Sequence, residues 1–183
     1  MRAVILDRDG VINHDSDEFI KTPEEWVPLP GSLQAIARLH QAGFTVAVAT
    51  NQSGVGRGLL TLEALQQIHA RMLDGVRDHG GAITEIAFCP HLPDAGCDCR
   101  KPAPGLLHEL ARRLDLDLDG VPVVGDSERD LIAARRAGAS PVLVRSGKGL
   151  RTLASSRDLQ GIPVFDDLAA FVDDLLAGER EPA

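Results

Sequence analysis

The hydrophobic pattern opens with Val4-Ile5-Leu6, a short apolar run that stops at two acids one residue apart, Asp7 and Asp9, and then Gly10. An apolar run of that length bounded by turn residues reads as a strand buried on both faces, and the glycine permits a tight turn after it. Leu33, Ile36, Ala37 and Leu39 then recur at helical spacing within 31–42, with Gly43 as the stop. Phe44 to Ala49 reads as a second strand that passes straight into Thr50-Asn51-Gln52-Ser53-Gly54-Val55-Gly56-Arg57-Gly58, expected to be a loop. Thr61 suits the N-cap of a helix carrying Leu65, Ile68, Met72 and Val76 to about His79, which Gly80-Gly81 ends. A third strand is expected over 83–88, a helix over 106–114, a fourth strand over 121–125, a helix over 131–137 and a fifth strand over 141–144. Residues 145–156 read as a loop, 164–165 as an edge strand and 166–176 as a closing helix. Strands that alternate with helices predict an α/β fold with a mostly parallel sheet.

Composition narrows the picture without changing it. The 183 residues, 44% hydrophobic and 25% charged, fit one globular domain, expected over residues 1–178, with 179–183 a frayed tail. No apolar run approaches the roughly 20 residues that cross a bilayer. The start, Met1-Arg2-Ala3-Val4, lacks the longer apolar stretch of a signal peptide, so a cytoplasmic protein is expected. A net charge of −8 argues against a nucleic-acid surface, although local cations can still grip phosphate.

Polar groups follow three of the expected strands immediately. In open α/β sheets the carboxyl ends of the strands are where ligands bind. Asp7 and Asp9 there are candidates for a nucleophile and a metal site, and Asp126 and Asp130, after the fourth strand, could complete an oxygen-lined site of the kind Mg²⁺ takes. Thr50, Asn51 and Ser53 offer hydroxyl and amide groups, and the neighbouring glycines let backbone N–H groups approach an anion. The residues alone leave open that Asp7 and Asp9 merely start a turn, that Ser127 and Asp130 merely start a helix, and that Asp15, Asp17 and Glu18 are solvated surface charge.

The loop after the third strand carries Cys89, His91, Cys97 and Cys99, all three cysteines of the chain and one histidine. That donor set matches a Cys₃His structural zinc site, and four protein ligands leave zinc no open position for catalysis. Its spacings are tighter than those of common zinc fingers, but prolines and Gly96 can bend the loop onto itself. Arg100 and Lys101 follow the last cysteine directly, so a metal-clamped loop would deliver two phosphate-binding cations to a fixed place.

Asp7/Asp9, Thr50, Lys101 and Asp126/Asp130, in that order across the chain, resemble the haloacid dehalogenase superfamily of phosphatases. The resemblance spans about residues 3–177. It implies a three-layer, Rossmann-like sheet, Mg²⁺ as cofactor, Asp7 as nucleophile, Asp9 as general acid and base, and Thr50 and Lys101 as phosphoryl-binding groups. Asp7, Asp126 and the backbone carbonyl of Asp9 would hold the metal, with Asp130 supporting from a second layer. Within the superfamily, the zinc loop, Thr50-Asn51-Gln52-Ser53-Gly54, Cys97-Asp98-Cys99-Arg100-Lys101-Pro102 and the lack of a large inserted cap resemble the phosphatases of heptose bisphosphates, with histidinol-phosphate phosphatases next. That likeness implies a small sugar bisphosphate as substrate, recognition by Arg100, and further contacts from Arg8, Asp15, Ser16, Asp17, Glu18, Asn51, Gln52, Ser53 and Ser127. It also implies a role in nucleotide-activated heptose or lipopolysaccharide-core synthesis, as a monomer with no nucleic-acid or membrane partner. A catalytically silent, zinc-stabilised binding module is the alternative from another class.

Overall fold

The structure is a computed structural model that describes residues 1–156 and 159–178. The tail expected to fray, 179–183, lies outside the described residues. Six parallel strands form one sheet in the order β3-β2-β1-β4-β5-β6. They are β1 (Ala3–Leu6), β2 (Thr45–Asn51), β3 (Glu85–Cys89), β4 (Pro122–Gly125), β5 (Ser140–Val144) and β6 (Val164–Phe165). The helices are α1 (Ser32–Gln41), α2 (Ser53–Gly56), α3 (Leu62–Asp78), α4 (Gly105–Leu114), α5 (Glu128–Arg136), α6 (Gly149–Ser155) and α7 (Leu168–Gly178).

The sheet is covered on both faces, which is why its strands are apolar without interruption. Period-two alternation splits β1: Val4 and Leu6 join Leu33, Ile36, Leu65, Ile68 and Phe171 of α1, α3 and α7 in one core. Ala3 and Ile5 face the other way, onto Leu106, Leu107 and Leu110 of α4 and Ala133 and Ala134 of α5. Alanines supply much of that second face, Ala47 and Ala49 from β2 and Ala87 from β3, so α4 packs close to the strands.

The structure departs from the periodicity in four places. Strand β2 runs on through Thr50 and Asn51, because both pair in register with Phe88 and Cys89 of β3. The stretch expected to be wholly loop contains α2, whose glycines pack tightly: a Cβ on Gly56 would lie 2.6 Å from the Pro90 carbonyl oxygen. Helix α5 starts at Glu128 rather than 131, since the Asp130 carboxylate reaches back to the Ser127 backbone N–H at 3.0 Å and closes the first turn. Helix α6 lies where a loop was expected; Leu153, its one apolar anchor, packs beside Leu143 and Ile162, too sparse a signal for helical periodicity.

The topology locates the site. Strand β1 continues to β2 on one side and β4 on the other, so the order reverses there, and a crevice opens at the carboxyl ends of these strands.

Candidate active site

Asp7 leaves the end of β1 with its backbone N–H bonded to the Val124 carbonyl of β4 at 2.9 Å, which aims its carboxylate into the crevice. Gly10 follows with φ 84°, and a Cβ there would lie 2.0 Å from Asp126 Oδ2. Gly147, with φ 57°, packs against Gly10 beside the same oxygen; its Cβ would lie 2.2 Å from it. These two glycines make the space that Asp126 occupies. Asp126 is fixed there by the Lys148 backbone N–H on Oδ2 at 2.7 Å and by the Thr152 hydroxyl on its carbonyl at 2.7 Å.

Lys101 arrives from the zinc loop and is buried. Its backbone is clasped by Asn51, whose Oδ1 accepts from the Lys101 N–H and whose Nδ2 donates to the Lys101 carbonyl, both at 3.0 Å. The ammonium then lies 3.0 Å from Asp7 Oδ1 and 2.6 Å from Asp130 Oδ1, and donates to the Ala49 carbonyl at 2.7 Å. Asp130 uses its other oxygen to accept from the Ser127 hydroxyl at 2.6 Å. The carboxylates of Asp7, Asp126 and Asp130 offer oxygens within 4.8 Å of one another, a separation a single divalent cation spans.

Three acids around one buried lysine leave an excess of negative charge, and the protonation equilibria show it. Burial raises the pKa of Asp7 to about 7, against the pull of Lys101 and with the push of Asp130 and Asp9. Burial, then Asp7 and Asp130, raise that of Asp126 to about 8. Burial works against the Lys101 charge, but Asp130 and Asp7 outweigh it and push its pKa up. For Asp9 burial is again opposed, here by Arg8, Asn13 and Gln52, and the balance lowers its pKa. A divalent cation held by these carboxylates would favour their ionised forms.

The Cys₃His loop closes as its composition predicts. Cys89 Sγ lies 3.7 Å from Cys97 Sγ and 3.1 Å from Cys99 Sγ, and His91 Nδ1 lies 3.5 Å from Cys89 Sγ and 3.2 Å from Cys99 Sγ. A tetrahedron of Zn–S bonds of about 2.3 Å has edges of about 3.7 Å, so these four atoms would take zinc by moving apart by at most about 0.6 Å. The cysteines form no disulfide. Backbone bonds tie this loop to the crevice: the Gln52 N–H donates to the Cys89 carbonyl at 2.7 Å and the Gly56 N–H to the Pro90 carbonyl at 2.9 Å.

A cleft of about 320 Å³ lies over these groups. It brings together Asp7, Asp9, Asp15, Ser16, Asp17, Asn51, Gln52, Ser53, Arg100, Lys101, Asp126, Ser127 and Asp130 of the residues expected from sequence. Thr50 lies just behind it, buried, its hydroxyl accepting from Gln52 Nε2 at 2.9 Å. Two expected substrate contacts are not at the cleft. Glu18 points to solvent, and Arg8 is corrected from a substrate contact to a buried residue, 1% exposed, whose guanidinium forks onto Asp9. The chain has left β1 by this point, and in the turn that the Ile12 and Asn13 N–H groups close on the Arg8 carbonyl the side chain lies inward, against Asp9.

Three cations at the cleft had been missed, Arg57, Arg129 and Lys148. Burial, then the nearby Arg129 charge, lower the Arg100 pKa against the pull of Cys89 and Cys97, with Arg57 adding to the fall, so three arginines gather at one end of the cleft. Lys148 bridges the mouth, 2.8 Å from Asp15 Oδ2. Its only signal in the sequence is the flanking Gly147 and Gly149, the former placed against Asp126.

A parallel sheet whose reversal point presents two acids from β1, a lysine from a long βα loop and two acids after β4 defines a hydrolase of the haloacid dehalogenase class, and the family model described as HAD-hydrolase-like matches residues 98–171. The chain is 55% identical over 176 residues to the D-glycero-beta-D-manno-heptose-1,7-bisphosphate 7-phosphatase of Bordetella bronchiseptica, covering 96% of this chain and 98% of that one. It is also 55% identical over 173 residues to the enzyme of the same name from Pseudomonas aeruginosa, with 94% and 97% covered. A crystal structure of the B. bronchiseptica D,D-heptose 1,7-bisphosphate phosphatase, complexed with magnesium and phosphate, superposes with a TM-score of 0.95 at 54% identity, covering 97% of this chain and 99% of that one. The chain belongs to the family of D-glycero-beta-D-manno-heptose-1,7-bisphosphate 7-phosphatases, which are phosphoric monoester hydrolases. No helix among the described residues is long and apolar enough to cross a membrane.

Proposed function

We propose that this chain removes the 7-phosphate of D-glycero-D-manno-heptose 1,7-bisphosphate, as the beta anomer its relatives are named for, in cytoplasmic synthesis of nucleotide-activated heptose. The observation that carries the reading is the Asp7–Lys101–Asp130 chain of contacts beside Asp126, in a cleft with a strongly cationic end. A substrate with two phosphates suits a site with charge at two places: Lys101 at the floor, and Arg100 with Arg57 and Arg129 toward the rim.

Asp7 attacks phosphorus in line and takes the phosphoryl group, splitting hydrolysis into two displacements. Asp9 protonates the departing sugar oxygen and later takes a proton from the water that frees Asp7. Lys101 and the Thr50 region bind the equatorial oxygens of the transferring group, where charge accumulates. Asp7, Asp126 and the Asp9 carbonyl hold Mg²⁺, which when bound neutralises charge between the nucleophile and the phosphate. Asp130 does not touch substrate; by pairing with Lys101 and Ser127 it fixes the lysine and the start of α5. Zinc held by Cys89, His91, Cys97 and Cys99 would have four protein ligands and no open position, and would act structurally by holding Arg100 and Lys101 in place.

Phosphate release from heptose bisphosphate and from histidinol phosphate, compared as kcat/KM, tests the assignment. A preference for the heptose substrate is expected, and a clear preference for histidinol phosphate overturns it. Absence of turnover on either substrate with Mg²⁺ present would favour the silent binding module.

A further inference from the structure

We propose that Arg8 is the positioning residue for proton transfer: its buried guanidinium, together with the amides of Asn13 and Gln52, fixes the Asp9 carboxyl so that Oδ2 is the atom that gives and takes the proton. The inference rests on the functional reading above for the role of Asp9.

The geometry is a three-part clamp. Arg8 Nε and Nη2 donate to Asp9 Oδ1 at 3.1 and 3.0 Å, and Nη2 is shared with Oδ2 at 3.1 Å. Asn13 Nδ2, fully buried, donates to the same Oδ1 at 2.9 Å. Gln52 Nε2 reaches from the end of β2 to Oδ2 at 2.8 Å. Oδ1 therefore receives three N–H groups, more than its two lone pairs serve singly. Oδ2 has one good donor and a share of another, and retains capacity toward the cleft.

The clamp is rigid because two of its parts, Arg8 and Asn13, come from one closed turn and the third, Gln52, from the end of β2. The Arg8 carbonyl accepts from the N–H groups of Ile12 and Asn13 at 2.8 and 3.2 Å, and the Gly10 N–H donates to the Asn13 carbonyl at 2.8 Å. Arg8 is buried and has no other carboxylate partner among the described residues. A guanidinium is seldom buried to this extent without a specific partner, and its planar fork sets the plane of the carboxyl it meets. A lysine at this position would bring the charge without the fork.

Orientation matters twice in the reaction. As the Asp7 oxygen–phosphorus bond forms and the bond from phosphorus to the sugar oxygen breaks, the proton on Asp9 Oδ2 passes to that sugar oxygen. Water then attacks phosphorus, its proton returns to Oδ2, and the Asp7 carboxylate is released with free phosphate. One oxygen held at one place serves both steps without reorganisation.

The leaving group supplies the test, since p-nitrophenolate departs without a proton and a sugar alkoxide does not. Wild type, Arg8→Lys, Arg8→Met and Asn13→Ser are compared, with Mg²⁺, on p-nitrophenyl phosphate and on a sugar phosphate that the wild type accepts. For Arg8→Lys, kcat on the sugar phosphate is expected to fall about a hundredfold with KM little changed, the usual scale for misplacing a general acid. On p-nitrophenyl phosphate the loss of kcat/KM, which reports only the first displacement, should be a few-fold at most, while kcat also carries the second displacement that both substrates share. Asn13→Ser keeps Arg8 and should show a smaller loss with the same selectivity, which carries the test if Arg8→Met does not fold. Equal losses of kcat/KM on both substrates would make Arg8 merely structural, and a raised KM with kcat retained would make it a substrate contact; either overturns the proposal. Failure of the wild type on heptose bisphosphate alone would overturn the substrate assignment and leave this comparison standing.

Discussion

Removing Mg²⁺ should make the protein lose stability as pH rises, the reverse of ordinary acid denaturation. The folded-state pKa values of Asp7 and Asp126, about 7 and about 8, lie above their ordinary value of 3.8, so between those limits the folded chain binds more protons than the unfolded one. Stability then falls with rising pH. His69 acts in the opposite sense: burial and then Arg8 depress its pKa to about 4, so its contribution grows between about 4 and its ordinary 6.5 and is constant above that. The window from 6.5 to 8.5 therefore isolates the two acids. Asp126 contributes over about 1.5 pH units and Asp7 over about 0.5, which at about 1.4 kcal/mol per unit gives about 3 kcal/mol in all. For a chain of this length that is a fall in Tm of about 6–12 °C. The assay is thermal unfolding of zinc-loaded protein in magnesium-free buffer across this window, so that the thiols stay metal-bound. Saturating Mg²⁺ should ionise both acids and flatten or reverse the slope. A flat or rising Tm without Mg²⁺, or the same slope with it, would refute the placement of these carboxylates around a cation site.

Other outcomes follow from single contacts. Asp7→Asn should abolish phosphate release while zinc content and folding stay near those of the wild type, as metal analysis and circular dichroism would show; normal turnover would refute the nucleophile. Lys101→Met strands Asp7 and Asp130 without their buried partner, and should cost about 3–5 kcal/mol in denaturant unfolding besides lowering kcat at least a hundredfold. Gly147→Ala places a Cβ 2.2 Å from Asp126 Oδ2 and 2.4 Å from Gly10 Cα in a left-handed conformation, so Mg²⁺ affinity by calorimetry should drop steeply. Cys97→Ser should release zinc and raise KM through Arg100; full zinc retention with unchanged kinetics would refute the four-ligand site.

Much of this protein was legible in its sequence because its chemistry sits where apolar runs stop. Strands β1, β2 and β4 carry candidate site residues at or just past their carboxyl ends, so Asp7, Thr50 and Asp126 announce themselves by position, and Cys89, His91, Cys97 and Cys99 by a donor set that suits one metal. Arg8 shows the limit. The likeness to heptose bisphosphate phosphatases implies a substrate contact at Arg8, yet that side chain lies inward, where it grips its own neighbour. Lys148 and α6 were invisible because their partners, Asp15 and Asp126 for the lysine and Leu143 for the helix, come from distant parts of the chain. Local pattern determined which segments are strand or helix and which residue types cluster at their ends, since those depend on neighbours in sequence. Only the tertiary structure decided which charges share a space, because burial and the nearest opposite charge, not residue type, set whether Lys101 is a surface cation or the buried partner of Asp7 and Asp130.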